Sequence, residues 1–509
     1  MPLPPNDRCM KNSIYLSCIV LSLFCASCGT SREAYDPDRK FSPGELKSDY
    51  QLFRNILEDA HPSVYWYMPR DSMNYYFDKE YAQLNDSMTE REFSVRLCYV
   101  ISRIGCGHTS VRHSKAFVKY LDTAKLTQFP LILKFWKDTM VVAANLNRND
   151  SNLKRGVLIQ SINGLTAAQL EDTIFQYIIT DGVNLTGKYQ YLSTGLNFSS
   201  WYKNIFGLPN RFTIDYFDSN NVLKETVIPP YDPRTDTVRR FFARTLHAEL
   251  EPHRKQRKKM DQFYTRNLQL DSATNTAFMS LNTFERGNHL SRFFRQSFRT
   301  LDEQHIANLV IDVRSNGGGD ATNSTLLTRY IIDKKFKVAD SLYAIRRHSP
   351  YDKYMEKGLL YRYLMYFVTS KHSDGKYHWG HFERHYYRPK QQHHFNGQVY
   401  ILTGGNSFSA TSLFAGALKG QKNVTLVGEE TGGGYYGLTA WIIPDVTLPI
   451  TKIRFRLPRF RLVVDKDREK NGRGIPPDVP ALPSREAIAR GLDFKTAKAK
   501  ELIQKGIVP

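Results

Sequence analysis

Two stretches of the sequence repeat one pattern, which is an apolar strand, a turn of small residues and then a helix. In the first stretch, LVIDVRSNGGGD at 309–320 leads into a helical pattern from Ala321 to Ile332. In the second, the apolar run Val399–Thr403 leads through two glycines and a serine-rich turn into the helix-forming run Ala410–Leu418. Apolar runs of this length, broken by glycine, indicate buried strands. The pattern predicts an α/β domain in which both turns carry functional groups.

Ser409 is the residue that this pattern places at a helix N-terminus. The first amides of a helix lack intrahelical partners, and the macrodipole is positive there, so a negatively charged oxygen is stabilised. A serine nucleophile that passes through an oxyanion suits this position. The alternative is that Ser407 or Ser409 is only a helix N-cap.

The three glycines at 317–319 are the matching feature of the first stretch. Consecutive glycines let the backbone approach a ligand closely and point its amides inward, as an oxyanion hole requires. We therefore expect the backbone amides of Gly317 or Gly318, together with that of Ala410, to hold an oxyanion. A simple tight turn is the alternative.

The paired motifs, followed by LVGEETGGG at 426–434 and GIPPD at 474–478, resemble those of the tail-specific or C-terminal processing serine peptidases. Their relatives include tricorn protease and the retinoid-binding repeats of interphotoreceptor retinoid-binding protein. The resemblance covers nearly the whole chain after the leader. It implies an α/β, ClpP/crotonase-like catalytic domain with an N-terminal helical domain and a PDZ-like domain, and it implies a peptidase without a metal or organic cofactor.

The first 28 residues predict a lipoprotein signal peptide. Arg8 and Lys11 precede the apolar core Ile14–Phe24, which is too short to span a bilayer but suits a secretory signal. The run ASC that follows resembles a bacterial lipobox, in which Cys28 becomes the acylated first residue of the mature chain. Ordinary signal cleavage nearby is the alternative. We therefore expect a protein of the cell envelope, lipid-anchored to a membrane on its periplasmic or outer surface.

Changes in pattern divide the remaining chain into six parts. Helical periodicity after Glu45 and after the capping box of Thr89 and Glu92, and the PDZ-like run LKRGVLIQSINGLTAAQL at 153–170, fix the first boundaries. The expected parts are a tether (29–44), an N-terminal helical domain carrying His108 (45–115), a PDZ-like domain (116–235), a basic linker (236–275), the catalytic domain (276–484) with an insertion at 335–396 that is a candidate lid, and a C-terminal helix (485–509).

His108 is the expected general base. It follows the helix that Thr89 opens, in the run IGCGHTSV, and the resembled family's His-dependent branch has a His-Thr pair after an N-terminal helix. A histidine at a helix end is otherwise a C-cap group that interacts with the dipole. The lysine-dependent branch carries its base where this chain has Gly434, and Lys452 lies in a different segment, so Ser/Lys catalysis is not expected.

The group that orients His108 is expected near residue 471. The resemblance places a glutamate about where Asn471 stands, and Glu469 or Asp467 could substitute for it. A neutral amide can hold an imidazole tautomer, although it stabilises imidazolium less well than a carboxylate does.

Other function classes are less well supported. The net charge of +21, from 71 basic and 50 acidic residues, favours anionic membranes or acidic partners, but no nucleic-acid-binding motif is present. His378, His381 and His385 could place imidazoles on one face for zinc, yet HFERH is not the HExxH pattern. The sequence thus predicts a serine endopeptidase acting on protein or peptide substrates. The alternative is a noncatalytic binder of a peptide or an apolar ligand with the same fold.

Overall fold

The N-terminal part of the chain is mainly helical. The computed structural model of the protein describes residues 35–236 and 254–506, so the predicted signal peptide, Cys28 and residues 237–253 of the predicted basic linker lie outside the described residues. The first elements are β1 (Lys40–Phe41), α1 (Pro43–Ala60), α2 (Arg70–Ala82), β2 (Met88–Thr89), α3 (Glu90–Arg103), β3 (Val111–Arg112) and α4 (Lys115–Thr123).

Local capping explains where the first helices begin. Thr89 and Glu92 form the predicted capping box of α3, and Ser42 with Glu45 forms a second one that starts α1 at Pro43. The helix α1 therefore begins inside the stretch 29–44 that was predicted to be a tether. Helix α2 was not predicted, because its sequence buries only three side chains and has little helical periodicity.

The second part is an antiparallel sheet with short helices. Its elements are β4 (Leu131–Trp136), β5 (Thr139–Asn145), β6 (Leu158–Ile162), β7 (Leu165–Thr166), α5 (Ala167–Ile174), α6 (Thr186–Leu192), α7 (Asn197–Phe206), β8 (Phe212–Phe217) and β9 (Leu223–Ile228). The strand order is β4-β5-β6-β8-β9, with β7 paired to β6. Thr166 and Gln169 form a capping box at the start of α5. The resemblance of this part to a PDZ domain stays a prediction.

The third part is α/β and holds both motif turns. Its elements are α8 (Arg254–Thr265), β10 (Arg266–Asp271), β11 (Thr276–Leu281), α9 (Leu290–Glu303), β12 (Asn308–Asp312), α10 (Ala321–Arg329), β13 (Ser341–Ala344), a 3₁₀ turn (Asp352–Tyr354), α11 (Gly358–Val368), β14 (Ser370–Lys371), β15 (Tyr377–His378), α12 (Gly380–Arg384), β16 (Gln398–Thr403), α13 (Ala410–Leu418), β17 (Val424–Gly428), β18 (Gly437–Ala440), β19 (Asp445–Thr447), β20 (Arg454–Arg456), β21 (Phe460–Val463), β22 (Val479–Pro480), α14 (Arg485–Arg490) and α15 (Phe494–Lys505).

The main sheet has the order β10-β11-β12-β16-β17-β22. The strands from β11 to β22 are parallel, and β10 pairs antiparallel with β11 at the edge. Because the carboxyl ends of neighbouring parallel strands share one edge, the turns after β12 and β16 lie side by side. The strand β10 extends this sheet into the stretch 236–275, which was predicted to be a linker.

The segment 335–396 contributes to a second sheet. Three of its strands continue the order β14-β15-β13-β21-β18, so β13 pairs with β21 from the C-terminal half. The same segment also contains the helix α11. At the C-terminus, two helices replace the single predicted one, because Gly491 adopts a φ of +65° after α14 and Asp493 caps α15.

The N-terminal helices share their hydrophobic core with the C-terminal half. Phe53 packs edge-to-face on Phe455 of β20 at 5.1 Å between ring centroids, and the Thr451 amide donates to the buried Asp49 carboxylate at 2.7 Å. The strand β3 also pairs with β20. From Arg39 onward the described residues form one compact unit, so the predicted helical domain 45–115 is not a separate core.

Among the described residues, no helix has the length and apolar character to cross a bilayer.

Candidate active site

Ser409 stands between β16 and α13 with a strained backbone. Its φ of 57° and ψ of −122° lie in a region that residues other than glycine rarely adopt. It precedes the first residue of α13, yet its side chain makes no capping hydrogen bond. The half-buried hydroxyl is therefore free for chemistry, and the observed geometry does not match the alternative that Ser409 is an N-cap.

Ser407 has a structural place in the same turn. Its buried hydroxyl donates to the Val313 carbonyl at 2.9 Å and accepts from the Gly404 amide at 3.2 Å. The Phe408 amide donates to the Asn316 carbonyl at 3.2 Å. These bonds tie the turn after β16 to the turn after β12, and they explain how Ser409 is held in its conformation.

Gly318 lies directly against Ser409. With a φ of +101°, it leaves no room for a side chain, because an added Cβ would be 2.6 Å from the Ser409 Cβ and 3.0 Å from the Ala410 nitrogen. Its own amide donates to the Asn316 side chain at 2.9 Å. Of the predicted oxyanion donors, Gly318 therefore shapes the site, while the exposed Gly317 and the first-turn amide of Ala410 are better placed to donate.

His108 is buried beside the turn that carries Ser409. It is 6% exposed, and its ring centroid lies 4.7 Å from that of Phe408, the residue before Ser409. Its Nδ1 has no hydrogen-bond partner among the described residues. Burial, with a smaller contribution from the charge of Arg456, lowers the pKa of His108 to about 3. The imidazole is therefore neutral near pH 7, with a pKa below the ordinary value of about 6.5.

Asp181 is the acidic group next to His108, and the sequence analysis missed it. One of its carboxylate oxygens lies within 4.8 Å of a His108 ring nitrogen. The carboxylate accepts from the Gly107 amide at 2.8 Å and from the Gly434 amide at 3.2 Å. Burial raises the pKa of Asp181 to about 6. Its one sequence signal is a polar Asp-Gly turn after an apolar run, and no spacing links it to His108.

Asn471 and Glu469, the predicted orienting groups, bond within their own loop. The Asn471 side-chain amide donates to Glu469 at 3.1 Å, and its carbonyl accepts from the Arg473 amide at 3.0 Å. Both residues are exposed. This loop does lie near the site, since the Val183 amide donates to the Gly472 carbonyl. The backbone of the 471 loop therefore supports the Asp181 turn, and its side chains are not hydrogen-bonded to His108.

Gly434, the position predicted to correspond to the base of the lysine-dependent branch, follows Gly433 in a glycine loop. A Cβ on Gly433 would lie 3.0 Å from the Ser409 nitrogen, so this loop packs against the serine. The side chain of Lys452 donates to the Pro449 carbonyl in a distant turn. A buried lysine under β16, Lys495, is paired with Glu429 at 2.6 Å. The geometry thus favours His108 over an amine as the base.

A cavity of about 450 Å³ opens beside these turns. Its wall includes Gly107, Gly317 and Phe408 from the site. The rest of its lining is mostly apolar and aromatic, from α3 and from the segment 177–201, with Ile101, Ile179, Tyr177, Tyr191 and Trp201. None of its lining residues belongs to the segment 335–396, so this cavity gives no support to the predicted lid. A larger groove near Lys79 and Glu80 is lined by charged groups and lies apart from the serine.

The donor groups near His108 do not favour a metal. Within the described ranges, Cys106, His108 and Asp181 are the one group of three such residues whose ligand atoms lie close together. Burial raises the pKa of the Cys106 thiol to about 11, which opposes the thiolate that a metal requires. The predicted zinc alternative at His378 is also disfavoured, because both ring nitrogens of His378 already pair with carboxylates. One nitrogen lies 2.7 Å from Glu383 and the other lies 3.1 Å from Asp374.

Comparison with known proteins agrees with this geometry. No curated protein matches the chain. Among solved structures, mature CPAF is similar at 12% identity and a TM-score of 0.60, over 92% of this chain and 99% of that one. Mature CPAF complexed with lactacystin is similar at 12% identity and a TM-score of 0.59, over 91% and 98%. These likenesses show a shared fold. Residues 275–481, which include both motif turns and Ser409, match the model of peptidase family S41, so this segment of the chain is similar to that family of peptidases.

Proposed function

We propose that the protein is a serine endopeptidase of the cell envelope, in which Ser409 is the nucleophile and His108 is the general base. The observation that carries this proposal is the Ser409 hydroxyl, which makes no capping bond although its strained backbone sits at the start of α13. The strained backbone of Ser409 lowers the stability of the fold, and no capping hydrogen bond compensates for it. Such strain is typical of functional sites.

The proposed reaction is acyl transfer to water. The Ser409 Oγ attacks a peptide carbonyl while His108 accepts its proton, and the Gly317 and Ala410 amides donate to the resulting oxyanion. His108 then gives the proton to the leaving amine, and a water molecule hydrolyses the acyl-enzyme by the same route in reverse.

Asp181 is proposed as the positioning residue for His108. Its position beside the imidazole would stabilise the imidazolium that forms during proton transfer. The bonds from the Gly107 and Gly434 amides fix the carboxylate between the histidine loop and the glycine loop that packs on Ser409. This assignment takes the place of the proposed roles of Asn471 and Glu469.

The cavity suggests the kind of substrate. Its aromatic and aliphatic wall beside Gly317 and Phe408 would accept an apolar side chain next to the scissile bond, because burial of such a side chain contributes about 1.5–3 kcal/mol. We therefore expect cleavage of protein or peptide chains at apolar residues.

The test of the nucleophile is active-site labelling. A fluorophosphonate probe should label the wild type, and Ser409→Ala should abolish both labelling and hydrolysis of a quenched peptide library. Ser407→Ala is the matched control: it should lower stability by about 1–3 kcal/mol, because it leaves a buried amide unpaired, but the folded fraction should still be labelled. Full hydrolysis by Ser409→Ala would refute the proposal, and no hydrolysis by the wild type would favour the noncatalytic binder.

The test of the base is His108→Ala. General-base catalysis contributes about 10²–10⁴-fold, so kcat should fall by at least the lower value. Labelling by the probe should slow in parallel, because the serine would no longer be deprotonated. Unchanged turnover in this variant would remove His108 from the mechanism.

The proposed location is tested separately. A labelled fatty acid should be incorporated into the wild type in a bacterial host but not into Cys28→Ser. Acylation that persists in this variant would show that the lipobox was misread.

A further inference from the structure

Helix α11 presents an apolar surface that nothing in the described structure covers. Its sequence, GLLYRYLMYFV, is apolar almost all round, and a soluble helix of this kind is normally buried. In α11 only a narrow face is buried. Met365 is fully buried against the second sheet, and Gly358 lies against the Asp352 carbonyl. Phe367 is 81% exposed and Leu359 is 67% exposed.

The exposed residues form one continuous arc. At 3.6 residues per turn, the outward positions span about 160° of the helix circumference. Every residue in this arc is leucine, tyrosine or phenylalanine, namely Leu359, Leu360, Tyr363, Leu364, Tyr366 and Phe367. An exposed apolar surface of this kind marks an interaction site.

The charged side chains from Lys357 to Ser373 have one sign, although the exposed Glu356 and Asp374 lie directly outside this range. Arg362 lies at the edge of the arc, Lys357 precedes the helix and Lys371 follows it, and all three side chains are exposed. No aspartate or glutamate occurs between Lys357 and Ser373. Arg347 adds a further cation, with its guanidinium 5.1 Å from the centre of the Tyr366 ring.

We propose that α11 lies flat in the surface of an anionic lipid bilayer, with its leucine and aromatic side chains at the boundary of headgroups and acyl chains. An apolar face with leucine and aromatic residues, bordered by lysine and arginine, is typical of interfacial helices. Tyrosine suits the headgroup level, where its ring is in an apolar environment and its hydroxyl is hydrated. The cations would meet the phosphates of anionic lipids, which attract lysine and arginine near the membrane surface.

The size of the surface argues against a second copy of the chain as the occupant. A stable protein interface usually takes about 20–30 residues from each partner. The arc supplies six, on a helix about 16 Å long. A bilayer needs no complementary shape, so a short convex helix is enough for it.

The experiment uses the chain from Gly29 onward, so that neither the leader nor an acylated Cys28 contributes to binding. All described helices and strands lie within Lys40–Lys505. This protein should sediment with vesicles of phosphatidylcholine mixed with phosphatidylglycerol, and much less with phosphatidylcholine alone. The double variant Leu360→Ser/Phe367→Ser should lower the partition coefficient by about 10²-fold or more, because two apolar side chains are lost from the lipid boundary.

A matched control removes two exposed leucines elsewhere. Leu482→Ser/Leu492→Ser changes the same number of exposed apolar side chains and should bind vesicles as the wild type does. Hydrolysis of a soluble peptide should be equal in all three proteins, which checks folding. The proposal would be overturned if the α11 double variant still bound the vesicles, if both double variants lost binding equally, or if sedimentation velocity showed a dimer that only the α11 variant dissociates.

Discussion

The two strand–turn–helix units of the main sheet place different groups at the same point. At the start of α10, Asp320 has an ordinary extended backbone, and its carboxylate accepts from the Thr322 amide at 2.8 Å. At the start of α13, Ser409 has a φ of 57° and makes no capping bond. The first residue stabilises its helix, whereas the second leaves the helix N-terminus open.

This difference shows how similar local structure can serve stability or reactivity. A capping side chain satisfies an orphan amide and contributes about 0.5–2 kcal/mol. Without that bond, the amides of the first turn remain available to an anion that forms during a reaction. The contrast between the two units can be tested by changes at each of them.

The largest effect is expected at Gly318, where the first unit touches the second. Gly318→Ala would force a Cβ to 2.6 Å from the Ser409 Cβ at a φ of +101°, so the serine or the glycine turn must move. We expect kcat/KM to fall by about 10²-fold or more, since a displacement of about 1 Å has that effect on a catalytic geometry. Gly287→Ala is the control, because it has a similar φ of +88° and open space around it. Equal losses in the two variants would mean that backbone strain, and not contact with Ser409, is responsible.

A smaller effect is expected at Asp181, the carboxylate beside His108. Asp181→Asn should lower kcat by about 10- to 10²-fold, because an amide stabilises imidazolium less well and its NH₂ cannot accept from the Gly107 and Gly434 amides.

The pH profile separates a positioning role from a merely structural one. Since the pKa of Asp181 is raised to about 6, wild-type kcat/KM should fall as the pH drops below about 6 and the carboxylate is protonated. His108, with its pKa lowered to about 3, stays neutral over that range. This decrease in kcat/KM at acid pH should be absent in Asp181→Asn. If the decrease persists unchanged in the variant, it is caused by the protonation of another group.

Removal of the cap on the first unit should affect stability and leave the chemistry intact. Asp320→Ala loses the bond to the Thr322 amide and the contact with Arg286, so the free energy of unfolding should decrease by about 1–2 kcal/mol. Ser409→Ala should leave it nearly unchanged, because no capping bond is lost. Denaturant titration of both variants measures the difference, and a larger loss in Ser409→Ala would contradict the contrast between the two units.

The smallest effect is expected at Asn471. Asn471→Ala should change kcat/KM by no more than about twofold, because the side chain is exposed and bonds only within its loop. A tenfold loss would return Asn471 to the mechanism.

Local pattern was sufficient to predict the parts of this site that are close in sequence. Strand β16, the turn and α13 follow one another directly in the sequence. Ser409 and the neighbouring glycines could therefore be located from hydrophobic periodicity and from the small residues of the turn. The capping boxes of α3 and α5 were predictable for the same reason.

The other side of the site could not be predicted because it is assembled from distant segments. Asp181 lies beside His108 because the two residues after it donate backbone hydrogen bonds to the Gly105 and Gly472 carbonyls. No sequence spacing predicts this proximity. The lowered pKa of His108 depends on burial against Phe408, about 300 residues away in the chain. Family resemblance pointed to residue 471, but the carboxylate that lies beside His108, Asp181, belongs to the second part of the chain.

The core that the N-terminal helices share with β19 and β20 has a consequence for synthesis. The loop with His108 is followed by β3, which pairs with Arg454 and Phe455, and the inner face of α1 packs on the same hairpin. The strand β20 is synthesised long after His108. A nascent chain that ends before β20 therefore lacks the surface against which β3 and α1 pack, and the loop with His108 can take its folded position only after residue 456 has left the ribosome.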